Sequence, residues 1–187
     1  MASDPTLPIV KSLLLLDSEG KRIAVKYYSS DWPSVPSQSN FEKSLWAKTN
    51  RMNARQEAEI IMFDNYIVVY KYLGDLMFYV TGSQDENELI LYSVLQAFFE
   101  SISTLLRQQV EKKTVLENLD LVLLAMDEIV DGGIILETDP QMIASRATMR
   151  GAEGEGPTAT GTVGLAEQTF SKAFAQAREH LTKSLLR

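Results

Sequence analysis

Five acids crowd one short stretch of the chain. Asp127, Glu128 and Asp131 lie within Met126-Asp127-Glu128-Ile129-Val130-Asp131-Gly132-Gly133, and Glu137 and Asp139 follow just beyond. Carboxylates this close can ligate a hard cation or accept charge-assisted hydrogen bonds from Lys and Arg. A calcium or magnesium cage takes six or more oxygens, and the spacing here does not match the EF-hand loop. No cofactor or metal is therefore expected. A salt-bridge cluster fits better, either with Arg146 or Arg150 of this chain or with a partner's cations.

The position of these acids sharpens the point. They end a long apolar helical pattern, where the helix dipole is negative and favours bases. Asp127 and Asp131 are four apart and repel on one face. Gly132 and Gly133 are expected to supply the left-handed stop of the helix. A pattern this costly locally needs compensation elsewhere, so Asp127, Glu128 and Asp131 are candidates for a partner interface.

Other chemistry is sparse. The one histidine, His180, lies near the C-terminus beyond a glycine-rich stretch, so no Ser-His-Asp set is expected. Neither a Gly-x-x-x-x-Gly-Lys-Ser/Thr phosphate loop nor a Gly-x-Gly-x-x-Gly dinucleotide turn is found. The net charge of -7 argues against nucleic acid as a partner, and the absence of cysteine excludes disulfides and thiolate catalysis. With 45% hydrophobic residues, the 187-residue chain can build one packed core. No secretory signal is visible after Met1, and no apolar run approaches the ~20 residues that span a bilayer. Any membrane contact is expected to be peripheral.

The elements that must position the acids can be read from periodicity. Pro8 to Leu16 reads as a strand apolar on both faces, Asp17 to Gly20 as a turn, and Arg22 to Tyr28 as the returning strand. Pro33 and Pro36 mark a loop. Ser39 with Glu42 suggests a capping box for a helix reaching about Arg51. Three strands follow, at Glu57 to Phe63, Tyr66 to Tyr72 and Leu76 to Thr81. Helices are expected at Asp85 to Gln109 and Thr114 to Val130, with a short segment at Pro140 to Thr148. The order β-β-α-β-β-β-α-α implies an α+β fold, with a mostly antiparallel five-stranded sheet flanked by helices.

Residues 1–149 thus form one domain. Residues 150–164 hold five glycines, one proline and three threonines and read as a flexible linker. Residues 165–187 recover helical periodicity, with Phe170, Phe174, Leu181 and Leu185 on one face. Four cations against two acids leave this stretch net +2. A lone helix this short is marginal in water, so it is expected to dock on a partner subunit or on its own domain. The two long helices carry more apolar surface than one stripe each, which points to a further buried face. Phe41, Leu45 and Trp46 join the interface candidates. Trp46 lies off the Phe41/Leu45 stripe, so it either leans on a nearby loop or anchors a partner. Tyr66, Tyr70, Tyr72, Phe78 and Tyr79 read as core, with a peptide groove as the sharper alternative.

These residues also carry a resemblance. Leu15-Leu16-Asp17-Ser18-Glu19-Gly20-Lys21-Arg22, Lys26-Tyr27-Tyr28, Pro33-Ser34, Phe41-Glu42-Lys43 and Lys48-Thr49-Asn50-Arg51 contribute to it. So do Glu86-Asn87-Glu88-Leu89, Leu116-Glu117-Asn118, the Met126–Gly133 signature and the closing Ser184-Leu185-Leu186-Arg187. Together they resemble the longin-fold small subunits of adaptor complexes, and among them the zeta chains of coatomer, the COPI coat. The resemblance implies a non-enzymatic coat subunit paired with the gamma subunit of coatomer in a heptamer. An Arf-type GTPase would recruit that heptamer to Golgi membranes for retrograde transport. The related sigma chains of clathrin adaptors bind dileucine signals, and their pocket would correspond here to Tyr72, Leu73, Leu76, Phe78, Phe99 and Val115. Asp75 and the bulky Phe99 suggest a filled, vestigial pocket. A sigma-like chain or sorting-signal binder is the alternative reading.

Overall fold

Leu13, Leu14, Leu15 and Leu16 alternate between the two sides of one strand, and all four are fully buried. A strand covered on both faces must lie inside a sheet. In the computed structural model, which describes residues 7–50 and 57–153, it does. Strands β1 (Val10–Asp17), β2 (Arg22–Tyr27), β3 (Glu59–Phe63), β4 (Tyr66–Leu73) and β5 (Leu76–Ser83) form one antiparallel sheet in the order β2-β1-β5-β4-β3. Register places Leu14 beside Tyr79 and Leu15 beside Phe78 across β1 and β5.

One face carries α1 (Val35–Thr49) over Leu14, Leu16, Tyr70, Met77 and Tyr79. The other carries α2 (Glu88–Leu105) and α4 (Leu119–Ile129), with the short α3 (Lys112–Glu117) between them. A final helix, α5 (Pro140–Glu153), packs on both α2 and α4. The α+β class and five-stranded antiparallel sheet expected from periodicity are those observed.

Several local expectations are corrected. Helix α1 begins earlier, because Ser34 and Ser37 form the reciprocal capping box and Pro36 sits in the first turn, where its missing N–H costs nothing. Glu42 is therefore free of capping. It is buried instead against Arg22, whose Nε donates to both its carboxylate oxygens at 2.9 and 2.8 Å, and against the Tyr27 hydroxyl at 2.8 Å. The helix expected over Thr114 to Val130 breaks at Asn118, whose side chain donates to the Thr114 carbonyl at 2.8 Å and competes with the helical ladder. Helix α2 is shorter than expected, capped by Asn87 and ending before Arg107 and Gln108, both at positive φ.

The glycine pair does not stop the helix. Val130, already extended at φ -140°, caps α4. Gly132 and Gly133, at φ 54° and 89°, instead turn a small hairpin of β6 (Val130–Asp131) and β7 (Ile134–Ile135). Helix α5 runs to Glu153, past the expected start of the linker at Arg150. It also covers part of the apolar surplus on α2 and α4, through Ile143, Ala144 and Ala147. The expected helix at 165–187, with Phe170, Phe174, Leu181 and Leu185, lies outside the described residues, as does most of the linker at 150–164.

Asp17 locks the β1–β2 turn from within. Its carboxylate accepts the N–H groups of Glu19 and Lys21 at 2.9 and 2.8 Å and the Lys112 ammonium at 2.7 Å. Burial pushes its pKa up, but the Lys112 contact and the two N–H donors outweigh that and hold it below the ordinary carboxylate value. Such a carboxylate adds stability above its unfolded pKa, and that stability fades as pH falls through the lowered folded value. Asp17→Asn is expected to cost about 1–3 kcal/mol at neutral pH. Chemical denaturation at a series of pH values should show this gap closing below about pH 4. A gap independent of pH would contradict the role assigned to the charge.

Candidate functional site

The acid-rich stretch closes α4. Val122, Ala125, Met126 and Ile129 point into the core at the i, i+3, i+4, i+7 spacing of a packed helix face. Glu128 stands beside that stripe, under α5, and is only 5% exposed. A carboxylate taken from water at the negative end of a helix needs positive charge. Helix α5 supplies it. Arg150 Nη1 lies 2.9 Å from Glu128 Oε1, and Arg146 Nη1 lies 3.8 Å from Oε2. The Arg150 approach is off the line of a hydrogen bond and leaves Oε1 without a donor, so this pair acts through charge. Arg146 reaches onward to Glu137 at 3.5 Å.

The neighbouring acids behave differently. Asp127 pairs with Lys26 of β2 at 2.8 Å, which fastens the helix end to the sheet edge. Asp131 is exposed on the hairpin and has no cation against it among the described residues. Tyr28 bridges the two structures, its hydroxyl donating to the Val130 carbonyl at 3.2 Å. Burial, and then the charges of Asp127 and Asp131, push its phenol pKa up and keep it a neutral donor. Gly133 completes the knot. Its carbonyl accepts the Val10 N–H at 2.8 Å, and a Cβ there would stand 3.0 Å from the Val10 oxygen. The end of α4 is thus tied at once to β1, β2 and α5.

The remaining interface candidates resolve otherwise. Phe41 and Leu45 are buried in the chain's own core with Trp32 and Tyr79, so neither is available to a partner. Trp46 is half-buried and leans on the β1–β2 turn, where a Cβ on Gly20 would fall 2.6 Å from its Cγ. Of the six pocket positions, five share the α2 side of the sheet. Leu76, Phe78 and Val115 are fully buried there, and Leu73 and Phe99 pack around them. Tyr72 lies on the opposite face, toward α1. Phe78 meets Phe99 edge-on at 5.6 Å, and the Lys71 ammonium sits 4.0 Å above the Phe99 ring. Ring packing and this cation–π contact hold these side chains together on the α2 side of the sheet.

Two features escaped the sequence reading. The Arg22–Glu42–Tyr27 group joins residues up to 20 apart, for which no spacing rule exists. The outward turn of Ile134 and Leu136 hides within a continuous apolar run, Ile134-Ile135-Leu136, whose failure to alternate was its one signal.

With this geometry in hand, comparison with known proteins is informative. A family model described as clathrin adaptor complex small chain matches residues 9–153. Coatomer subunit zeta-1 of Oryza sativa subsp. japonica is 56% identical over 179 residues, which cover 96% of this chain and 97% of the relative. Coatomer subunit zeta-2 of Arabidopsis thaliana is 54% identical over 98% of this chain and 99% of its own length. Coatomer subunit zeta-1 of Homo sapiens is 45% identical over 98% and 97%. The chain belongs to the coatomer zeta branch of the clathrin adaptor small chain family. This is a family of coat subunits rather than enzymes. Among solved structures, a chain in a homology model of the full-length AP-3 complex in a stretched open conformation overlays with a TM-score of 0.60. It is 17% identical and covers 79% of this chain and 96% of its own length, a likeness of fold.

The charge cluster at the end of the fourth helix generates a direct prediction. Both arginines remain partly exposed, which discounts the pair below the ~3–5 kcal/mol of a fully buried one. Glu128→Gln in the full chain should lower stability by about 1–3 kcal/mol, and high salt should shrink that difference. Unfolding midpoints at low and high ionic strength measure both effects. A variant as stable as wild type at low salt would show that the carboxylate is solvated.

Proposed function

We propose that the chain is a structural subunit of the COPI coat, held against the gamma subunit of coatomer within a heptamer. An Arf-type GTPase would bring that heptamer to the cytosolic side of Golgi membranes, for retrograde transport to the endoplasmic reticulum and traffic within the Golgi. The observation that carries this reading is the near end-to-end likeness to chains named coatomer subunit zeta, at 45–56% identity. The closed end of α4 suits the role, since it gives the domain a rigid corner that a large partner can grip. Among the described residues no helix is long and apolar enough to cross a membrane, which agrees with attachment through partners. The sorting-signal alternative is weakened by the packed pocket around Phe78 and Phe99.

Purification of the tagged full chain from cells is expected to recover the gamma chain in equal amount, together with the other coat chains. A titration of the purified chain with an acidic dileucine peptide is expected to show no saturable binding. A chain recovered alone, combined with tight peptide binding, would overturn the coat reading in favour of the sorting one.

A further inference from the structure

A ribbon on a protein surface alternates, one face inward and one outward. Ile135 turns inward and packs against the core under α2 and α4. Ile134 and Leu136 therefore turn outward, where polar residues are the norm, and they are 49% and 55% exposed. Ile9 pairs antiparallel with Ile134 in an isolated bridge, and Leu7, two residues before it, lies toward the Leu136 end of the hairpin strand. Leu7 is 51% exposed. Three large aliphatic side chains thus share one uncovered face of the ribbon made by the entry to β1 and the β6–β7 hairpin.

Acids surround this face. Asp131 stands opposite Ile134 in the hairpin register and has no cation against it among the described residues. Glu137 follows Leu136 directly, and Asp139 accepts N–H groups at the start of α5. Glu86 accepts the Ile9 N–H at 3.2 Å. Of the nearby cations, Lys26 is engaged on Asp127 and Arg150 on Glu128, while Arg146 lies between Glu128 and Glu137, which leaves Asp131 as the acid of this face without a cation among the described residues.

Charge selects among the occupants an apolar face could take. A second copy of this chain would bring another net -7. An anionic bilayer would be repelled by the same carboxylates. A basic protein segment is attracted by them and can cover the aliphatics at the same time. We propose that Leu7, Ile134 and Leu136 dock a basic segment of a partner protein, with aliphatic side chains seated on them and Lys or Arg facing Asp131. The inference rests on the chain being one member of a multi-subunit coat, and adds where and by what chemistry one contact is made.

The test uses the full chain with labelled methyl groups. Three probes are titrated: a synthetic helical peptide of leucine and lysine, its leucine and glutamate counterpart, and phosphatidylserine vesicles. The leucine–lysine peptide is expected to shift the methyl signals of Leu7, Ile134 and Leu136 ahead of all others. Leu136→Ser and, separately, Asp131→Lys should each weaken that binding about tenfold or more without moving the unfolding midpoint. Shifts centred elsewhere, or equal binding of the glutamate peptide, would overturn the proposal. Vesicles that shift these methyls where the peptide does not would assign the face to membrane, and concentration-dependent shifts without any probe would assign it to a second copy. Failure of the coat reading itself registers separately, in the absence of coat chains from the co-purification, and leaves the peptide result standing.

Discussion

A buried carboxylate at the negative end of a helix is the constraint around which this domain is organised. Glu128 opposes the dipole of α4 and lies out of water. Left alone it would break the packing of the second layer. Two arginines of α5 offset part of that penalty, and the pairing ties α5 to the end of α4. The helix is then positioned to cover apolar surface that α2 and α4 leave over, using the small side chains of Ala144 and Ala147 and one large one, Ile143. Electrostatics sets the place of α5, and close packing fills the space beneath it.

The same economy recurs on the first layer. Helix α1 is fastened by Glu42 against Arg22 and Tyr27, and by Thr49, whose hydroxyl lies 2.8 Å from that of Tyr79. Asp17 joins the first hairpin to α3 through Lys112. Each side of the sheet thus carries a buried acid whose cation comes from a distant element. Such contacts do little for hydrophobic burial, but they exclude alternative registers, because a slipped element would strand a charge.

How much of this was legible beforehand follows from the range of each interaction. The five strands and the apolar helices are local patterns, and Leu13 to Leu16 alone identified an interior strand. The charges at Asp127 and Glu128 were visible as a dipole mismatch, and Arg146 and Arg150 were within reach as partners. Errors arose where two local rules compete. Ser39 with Glu42 looks like a capping box, yet Ser34 with Ser37 won, because Pro36 tolerates the first turn and Glu42 is needed by Arg22. The glycine pair fits either a helix stop or a hairpin turn, and the Val10 hydrogen bond to Gly133 decides for the turn. Tyr72 could not be assigned to a face without the register of β4. Contacts such as Arg22 with Glu42 have no signature short of the fold itself.

Charge on Glu128 holds α5 in place, and α5 in turn covers the second helical layer. Hydrogen exchange on the full chain, comparing wild type with an Arg146→Met, Arg150→Met double variant, tests it most directly. Methionine keeps the bulk of the stems and removes only the charge. The account predicts that amides of α5 and of the β6–β7 hairpin exchange about tenfold faster or more in the variant, the factor that ~1.4 kcal/mol produces. Amides of β1 and β5 should keep their protection. Unchanged protection across α5 would mean that packing alone holds the helix, and the claim would fall.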